Sequence, residues 1–191
     1  MKTSPLRSAL QEQVKEWFAS LEPVRPEDMI GLWEGDGHPS GHPLDGVLEN
    51  LHWFGKRFHP DMRADALLFE GETADRLVAV DPVFFPIKVV TKLGGIGRSA
   101  RVRNLFSHIR PRVRAKGTTA RLELRMDDGA MTAAMVYDKQ PIIDYFRKVD
   151  QDQVAGMMVV EGDERRFFFR LTRVEGSGNP SVDPPVRTSQ T

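Results

Sequence analysis

Tyr137, Asp138 and Lys139 are three titratable neighbours at what alternation reads as a strand end, and a period of two puts Tyr137 and Lys139 on one face. A phenol beside an amine is a pair suited to passing a proton. Pro141 follows directly, so the simpler assignment is a strand end with Asp138 turning or capping the chain. His38, His42, His52, His59 and His108 are the other candidates. His38 and His42 stand near Asp36 and Asp45, a set with metal-ligand chemistry. Their His-x-x-x-His spacing converges on a metal when helical, and Pro39 and Gly41 oppose that geometry. His42 is therefore assigned to capping the next helix or bonding a backbone group, and no metal is expected. Residues 94–98 have the glycine content of a phosphate loop without its Gly-Lys-Ser/Thr ending. There is no nucleophile elbow, His-Glu-x-x-His or nucleotide fingerprint. Cysteine is absent, which removes disulfides, thiol nucleophiles and cysteine-held metals. The expectation is a protein that binds without catalysing.

Residues 98–125 contain nine Lys or Arg against a single acid, Glu123. On a strand, Arg110, Arg112 and Arg114 oppose Ile109, Val113 and Ala115, while Arg121 and Arg125 oppose Leu122, Leu124 and Met126. Alternation assigns most of these cations to a solvated outer face. Arg112 and Arg125 are the two candidates for holding a carboxylate or phosphate. An anionic membrane or partner suits the same cluster. Nucleic acid is not expected, because 27 basic residues balance 27 acidic ones and no aromatics are interleaved as stacking platforms. No apolar run approaches the roughly 20 residues that span a bilayer, and no signal-peptide core is visible, so a cytoplasmic location is expected.

The elements that must position these residues follow from periodicity. Pro5 after Ser4 opens a helix with Leu10, Val14, Trp17 and Leu21 in its stripe, ended by Pro23 and Pro26. Residues 29–37 suit a bent first strand. A second helix is expected over 43–58, from the spacing of Leu44, Val47, Leu48, Leu51, Phe54 and Phe58, although Gly46 and Gly55 weaken it. Strands are expected at 66–70, 76–80, 88–92, 99–106, 112–115, 121–126, 131–137, 154–160 and 166–174. Asp128-Gly129 is the clearest hairpin turn. A short helix is expected over 141–149, and residues 176–191 read as a disordered tail.

Many short strands with few βαβ alternations predict a mainly β, antiparallel barrel. Residues 131–137 are apolar or lightly polar on both faces, which favours a barrel over a sandwich. The domain expectation is a helix over 1–24 and one barrel over 25–175, with an early part at 25–80 and a later part at 110–175.

Gly31-Leu32-Trp33-Glu34-Gly35 resembles the motif that names the bacterial GXWXG family, and residues 41–46 and 134–144 resemble further blocks of that family and its paired C-terminal domain of unknown function. The architecture also resembles the calycins: lipocalins, where a Gly-x-Trp closes one barrel end, and fatty-acid-binding proteins, where a helical cover follows the first strand. The fold expectation is thus a calycin-like barrel with an N-terminal helix and a helical cover. Nitrobindins are similar in their Gly-x-Trp-x-Gly-x-Gly, which Gly37 extends here, and that resemblance implies heme. The late axial histidine it requires is missing, since none follows His108, and Tyr137, Tyr145 or an earlier histidine would have to take its place.

The function expected is non-covalent binding of a lipophilic small molecule, fatty-acid-like or another hydrophobic anion. Its pocket residues would be Trp33, Phe54, Phe58, Met135 and Tyr137, with Arg112 or Arg125 at the anion. Two rivals remain: a heme-binding barrel, and a barrel filled by its own side chains that acts as an interaction module. The oligomeric state is open.

Overall fold

The computed structural model describes residues 5–71, 73, 76–85, 97–175 and 180–183. In chain order the elements are α1 (Pro5–Ser20), β1 (Glu22–Pro23), β2 (Gly31–His38), α2 (Val47–Asn50), β3 (Trp53–Phe58), β4 (Arg63–Glu70), β5 (Arg76–Ala79) and α3 (Ala100–Ile109). They continue with β6 (Ala120–Asp127), β7 (Ala130–Tyr137), β8 (Ile142–Lys148), β9 (Gln153–Val160), β10 (Phe167–Arg173) and β11 (Ser181–Val182). Strands pair in the order β4-β3-β2-β10-β9-β8-β7-β6. β6 then returns to β4 through Arg63↔Arg121 and Ala64↔Ala120, which closes an antiparallel eight-stranded barrel. Closure removes the exposed strand edges that an open sheet would leave.

One end of the barrel is closed. Trp33 is buried there, its indole donates to Met29 O at 2.6 Å, and the Arg173 guanidinium lies 4.3 Å over its ring. Above it, Phe58, Phe146, Phe169 and Trp53 form a ladder of edge-to-face rings, with successive centroids 5.5, 6.2 and 5.9 Å apart. At the other end the 39–52 connection, α3 and the turns at 138–141 and 161–166 surround the opening. α1 does not cover this opening. Its Val14 and Phe18 pack outside the wall on Ala155, Met157 and Phe168, and Gln11 ties it to Ser40 O and Arg166 O. None of the helices in the described residues is long and apolar enough to cross a membrane.

Four expected elements are corrected. Over 43–58 only one helical turn forms, and Trp53–Phe58 is a strand. Gly46 (φ 75°), His52 (φ 58°) and Gly55 (φ 148°) interrupt any helix, so the apparent stripe joins residues that serve different elements. Residues 141–149 are also strand, because Ile142, Asp144 and Phe146 alternate inward. Residues 99–106 belong to a helix: Ser99 caps it by accepting from Val102 N–H, and Phe106 faces in between half-buried Val102 and Ile109. Residues 110–112 form a 3-10 turn, and near 112–115 the pairing is a lone bridge from Arg114 to Val80.

The strand expected at 88–92 lies outside the described residues, as does most of 176–191. Within the latter, Ser181–Val182 pairs in parallel with β5, and the Asp183 carboxylate meets Arg114 at 3.0 Å.

Candidate functional site

The barrel's open end contains a polar cluster sunk in an apolar chamber. β3 carries a bulge, with register shifts on both sides of Gly55, so Gly55 and Lys56 are buried in succession. A Cβ on Gly55 would sit 2.0 Å from Trp33 O, which reserves the position for glycine. The bulge turns Lys56 into the barrel, where its ammonium lies 2.9 Å from Asp144 Oδ2 and donates to Ala66 O at 3.0 Å and to the Tyr137 hydroxyl at 3.4 Å. Tyr137 donates to the same Asp144 oxygen at 3.3 Å. The ring centroids of Phe169, Trp53 and Tyr137 stand 5.1 to 5.7 Å from the ammonium. Burial, reinforced by the Asp144 carboxylate, pushes the Tyr137 phenol well above its ordinary pKa and keeps it neutral.

Above this cluster is a cavity of about 100 Å³. Its apolar wall includes Val47, Leu51, Phe69, Phe106, Met158 and Phe167. Two polar atoms of its lining residues, Asp144 Oδ1 and Trp53 Nε1, have no hydrogen-bond partner among the described residues. Asp144 is 1% exposed and Trp53 7%. A buried acceptor and a buried donor left unpaired cost roughly 1–3 kcal/mol each. Pro82 and Tyr137 also line a second, more polar groove of about 360 Å³, which includes Arg112, Arg114, Lys116 and Thr118.

Of the seven residues expected to bind ligand, Tyr137 alone lines the chamber. Trp33, Phe58 and Met135 are fully buried core below it. Phe54 faces outward and packs beside Leu32, Leu68 and Leu77, because the bulge gives the inward positions to its neighbours. Arg125 lies on the outer wall, bonded to Glu123 at 2.7 Å. Arg112 borders the polar groove. Lys56 and Asp144 are the residues that sequence reading missed. Their signal was a charged side chain in an inward strand position, flanked by Ile142 and Phe146 in one case and by the glycine bulge in the other.

The histidines are dispersed. His38 stacks on Trp17 at 4.9 Å, and buried His42 packs on Phe167 while its Nδ1 accepts from Leu44 N–H at 3.2 Å. Burial, helped by the nearby Arg165 charge, lowers the His42 pKa to about 4. No histidine lines the chamber, Tyr137 is engaged by Asp144, and about 100 Å³ is far too little for a macrocycle. The residues there do not fit heme.

Fold and site together define a closed antiparallel barrel with a small, mostly apolar chamber and a buried Lys-Asp-Tyr cluster. Residues 16–73 match the GXWXG protein family and residues 118–173 match a domain of unknown function, DUF4334, so the chain carries these two regions in their paired arrangement. It is similar to the crystal structure of a protein from Thermomonospora curvata, at 29% identity and a TM-score of 0.61 over 86% of this chain and 88% of that one. No curated protein matches the sequence.

Proposed function

We propose that the chamber binds a small, mostly apolar, uncharged molecule bearing a hydroxyl or comparable N–H group. The observation that carries this reading is that two residues lining a mostly apolar cavity, Asp144 and Trp53, each keep a buried polar atom, Oδ1 and Nε1, without a hydrogen-bond partner among the described residues. A hydroxyl can donate to the first and accept from the second, recovering what their burial costs. Charge argues for a neutral ligand. Lys56 and Asp144 cancel one another, and all three N–H groups of the ammonium have acceptors within 3.4 Å, so among the described residues the chamber lining offers a carboxylate no free cation. Size argues for a small one. A 150 Å³ apolar cavity admits benzene, and drug-sized pockets run from roughly 300 Å³. About 100 Å³ is below both, so the chamber takes at most one ring or a short chain, with any remainder leading past Pro82 and Tyr137 toward the polar groove.

This reading revises the hydrophobic-anion expectation, since Arg125 is on the outer wall and Arg112 borders the groove. Aromatic rings fill the closed half of the barrel, so the reading confines the ligand to the open end and stands against a barrel filled along its whole length. Native mass spectrometry of the purified protein tests the proposal. A small neutral adduct that leaves on denaturation supports it, as does an adduct-free protein that takes up phenol. A bound long-chain carboxylate, or no uptake of phenol at millimolar concentration, contradicts it.

A further inference from the structure

We propose that the open end of the barrel docks on anionic lipid bilayers through the cationic, partly apolar surface formed by α3 and the 82–85 turn. Residues 97–116 hold seven Lys or Arg and no Asp or Glu. Among the described residues, Arg98, Arg101 and Arg103 form no ion pair, and Arg112 bonds only to a carbonyl, His108 O at 3.5 Å. α3 turns one stripe inward, Val102, Phe106 and Ile109, and leaves its other faces in water. On the outer side Leu105 is 63% exposed, with Arg101 one turn before it and His108 one turn after. Phe84 and Val83 are 53% and 39% exposed and share the polar groove with Arg112 and Lys116.

Exposed aliphatic and aromatic side chains among arginines form the arrangement that binds a membrane interface, where acyl chains receive the former and anionic headgroups the latter. Leu105 and Val83 favour lipid over nucleic acid, because aliphatic groups give bases nothing to stack on. The outward residues also adjoin the chamber. Phe84 precedes cavity-lining Phe85, and Leu105 precedes cavity-lining Phe106. Docking sets the covering segments of the chamber against the bilayer, where apolar molecules partition. The surface stands on its own observations; only this consequence rests on the proposed ligand-binding reading.

Flotation of the full chain with phosphatidylcholine vesicles, with and without phosphatidylserine, tests the inference. The expected result is binding roughly tenfold or more stronger with phosphatidylserine, lost as salt rises from about 0.1 M to about 1 M and the screening length falls from about 10 to about 3 Å. Reversing Arg101 and Arg112 to Glu, or changing Leu105 and Phe84 to Ser, lowers binding at least several-fold while far-UV circular dichroism and phenol uptake are unchanged. Met126→Ser with Met131→Ser, which alters exposed residues at the closed end, leaves it unchanged. Absence of binding, equal binding to uncharged vesicles, or an equal loss in the Met126/Met131 control overturns the proposal. Binding to single-stranded DNA that is indifferent to Leu105 and Phe84, with none to vesicles, overturns it in favour of a polyanion site.

Discussion

The carbon that Gly35 lacks would lie 2.3 Å from Cη2 and 2.4 Å from Cζ3 of Trp53. The second glycine of the Gly-x-Trp-x-Gly motif is thus the seat of the tryptophan that walls the chamber, while the motif's own Trp33 plugs the opposite end. Gly35→Ala is expected to destabilise by about 1–3 kcal/mol through overpacking. Trp53→Phe in the same chain recovers most of that loss by shortening the ring. Chemical denaturation of both variants checks this, and near-UV circular dichroism reports the displaced indole.

The Lys56–Asp144 pair has a lopsided energetic signature. Removing one partner strands a charge in the core, so Lys56→Met is expected to cost about 3–5 kcal/mol. Replacing both, Lys56→Met with Asp144→Leu, returns stability to within about 1 kcal/mol of the parent or above it. Urea denaturation measures the pattern. The double variant is also expected to lose its preference for hydroxylated over plain hydrocarbon ligands.

His42 gives the fold a defined acid sensitivity. Its folded pKa of about 4 lies below the 6.5 of a free imidazole, so between these values the unfolded chain binds more protons. The stabilisation is complete above pH 6.5 and is lost as the pH falls toward 4, by up to roughly 3 kcal/mol. His42→Asn keeps an acceptor for Leu44 N–H and removes the titrating ring, and should flatten this part of the stability profile relative to the parent. Denaturation midpoints at pH 7, 5.5 and 4.5 decide it. A slope unchanged by the substitution contradicts the assignment.

Phe54 and Phe106 separate outer packing from chamber. Phe54→Ala is expected to cost about 2 kcal/mol of stability and to leave ligand affinity within about twofold, because its ring packs outside the barrel. Phe106→Ala enlarges the chamber and should change affinity at least fivefold. Parallel melting and ligand titration distinguish the two.

The sequence was most readable where one period governed a whole element. The 131–137 alternation, the Asp128-Gly129 turn and the Pro5 helix start all reappear in the barrel. It misled where apolar residues serving different elements fell by chance at helical spacing. Leu44, Val47 and Leu48 belong to the rim and Phe58 to the barrel core, yet together they read as one stripe. The same error concealed the polar cluster, since Lys56 and Asp144 both fall in segments with helix-like spacing, where an inward charge has no visible meaning. As strand residues they are conspicuous: each is buried, and they meet across the barrel at 2.9 Å. Ser99, the cap of α3, was masked by the alternation of Arg101, Val102 and Arg103. The proposed arginine anchors were placed by face alternation along a chain whose register only barrel closure sets.

The central claim is most directly tested by calorimetric titration of the protein at pH 7 with phenol, benzene and benzoate, three ligands of similar size that differ in what they offer Asp144 Oδ1. The account predicts that phenol, neutral at this pH, binds about tenfold more tightly than benzene, and that benzoate binds most weakly because the described lining of the chamber holds no uncompensated cation. Tighter binding of benzoate than phenol, or no measurable heat from any of the three, would contradict it.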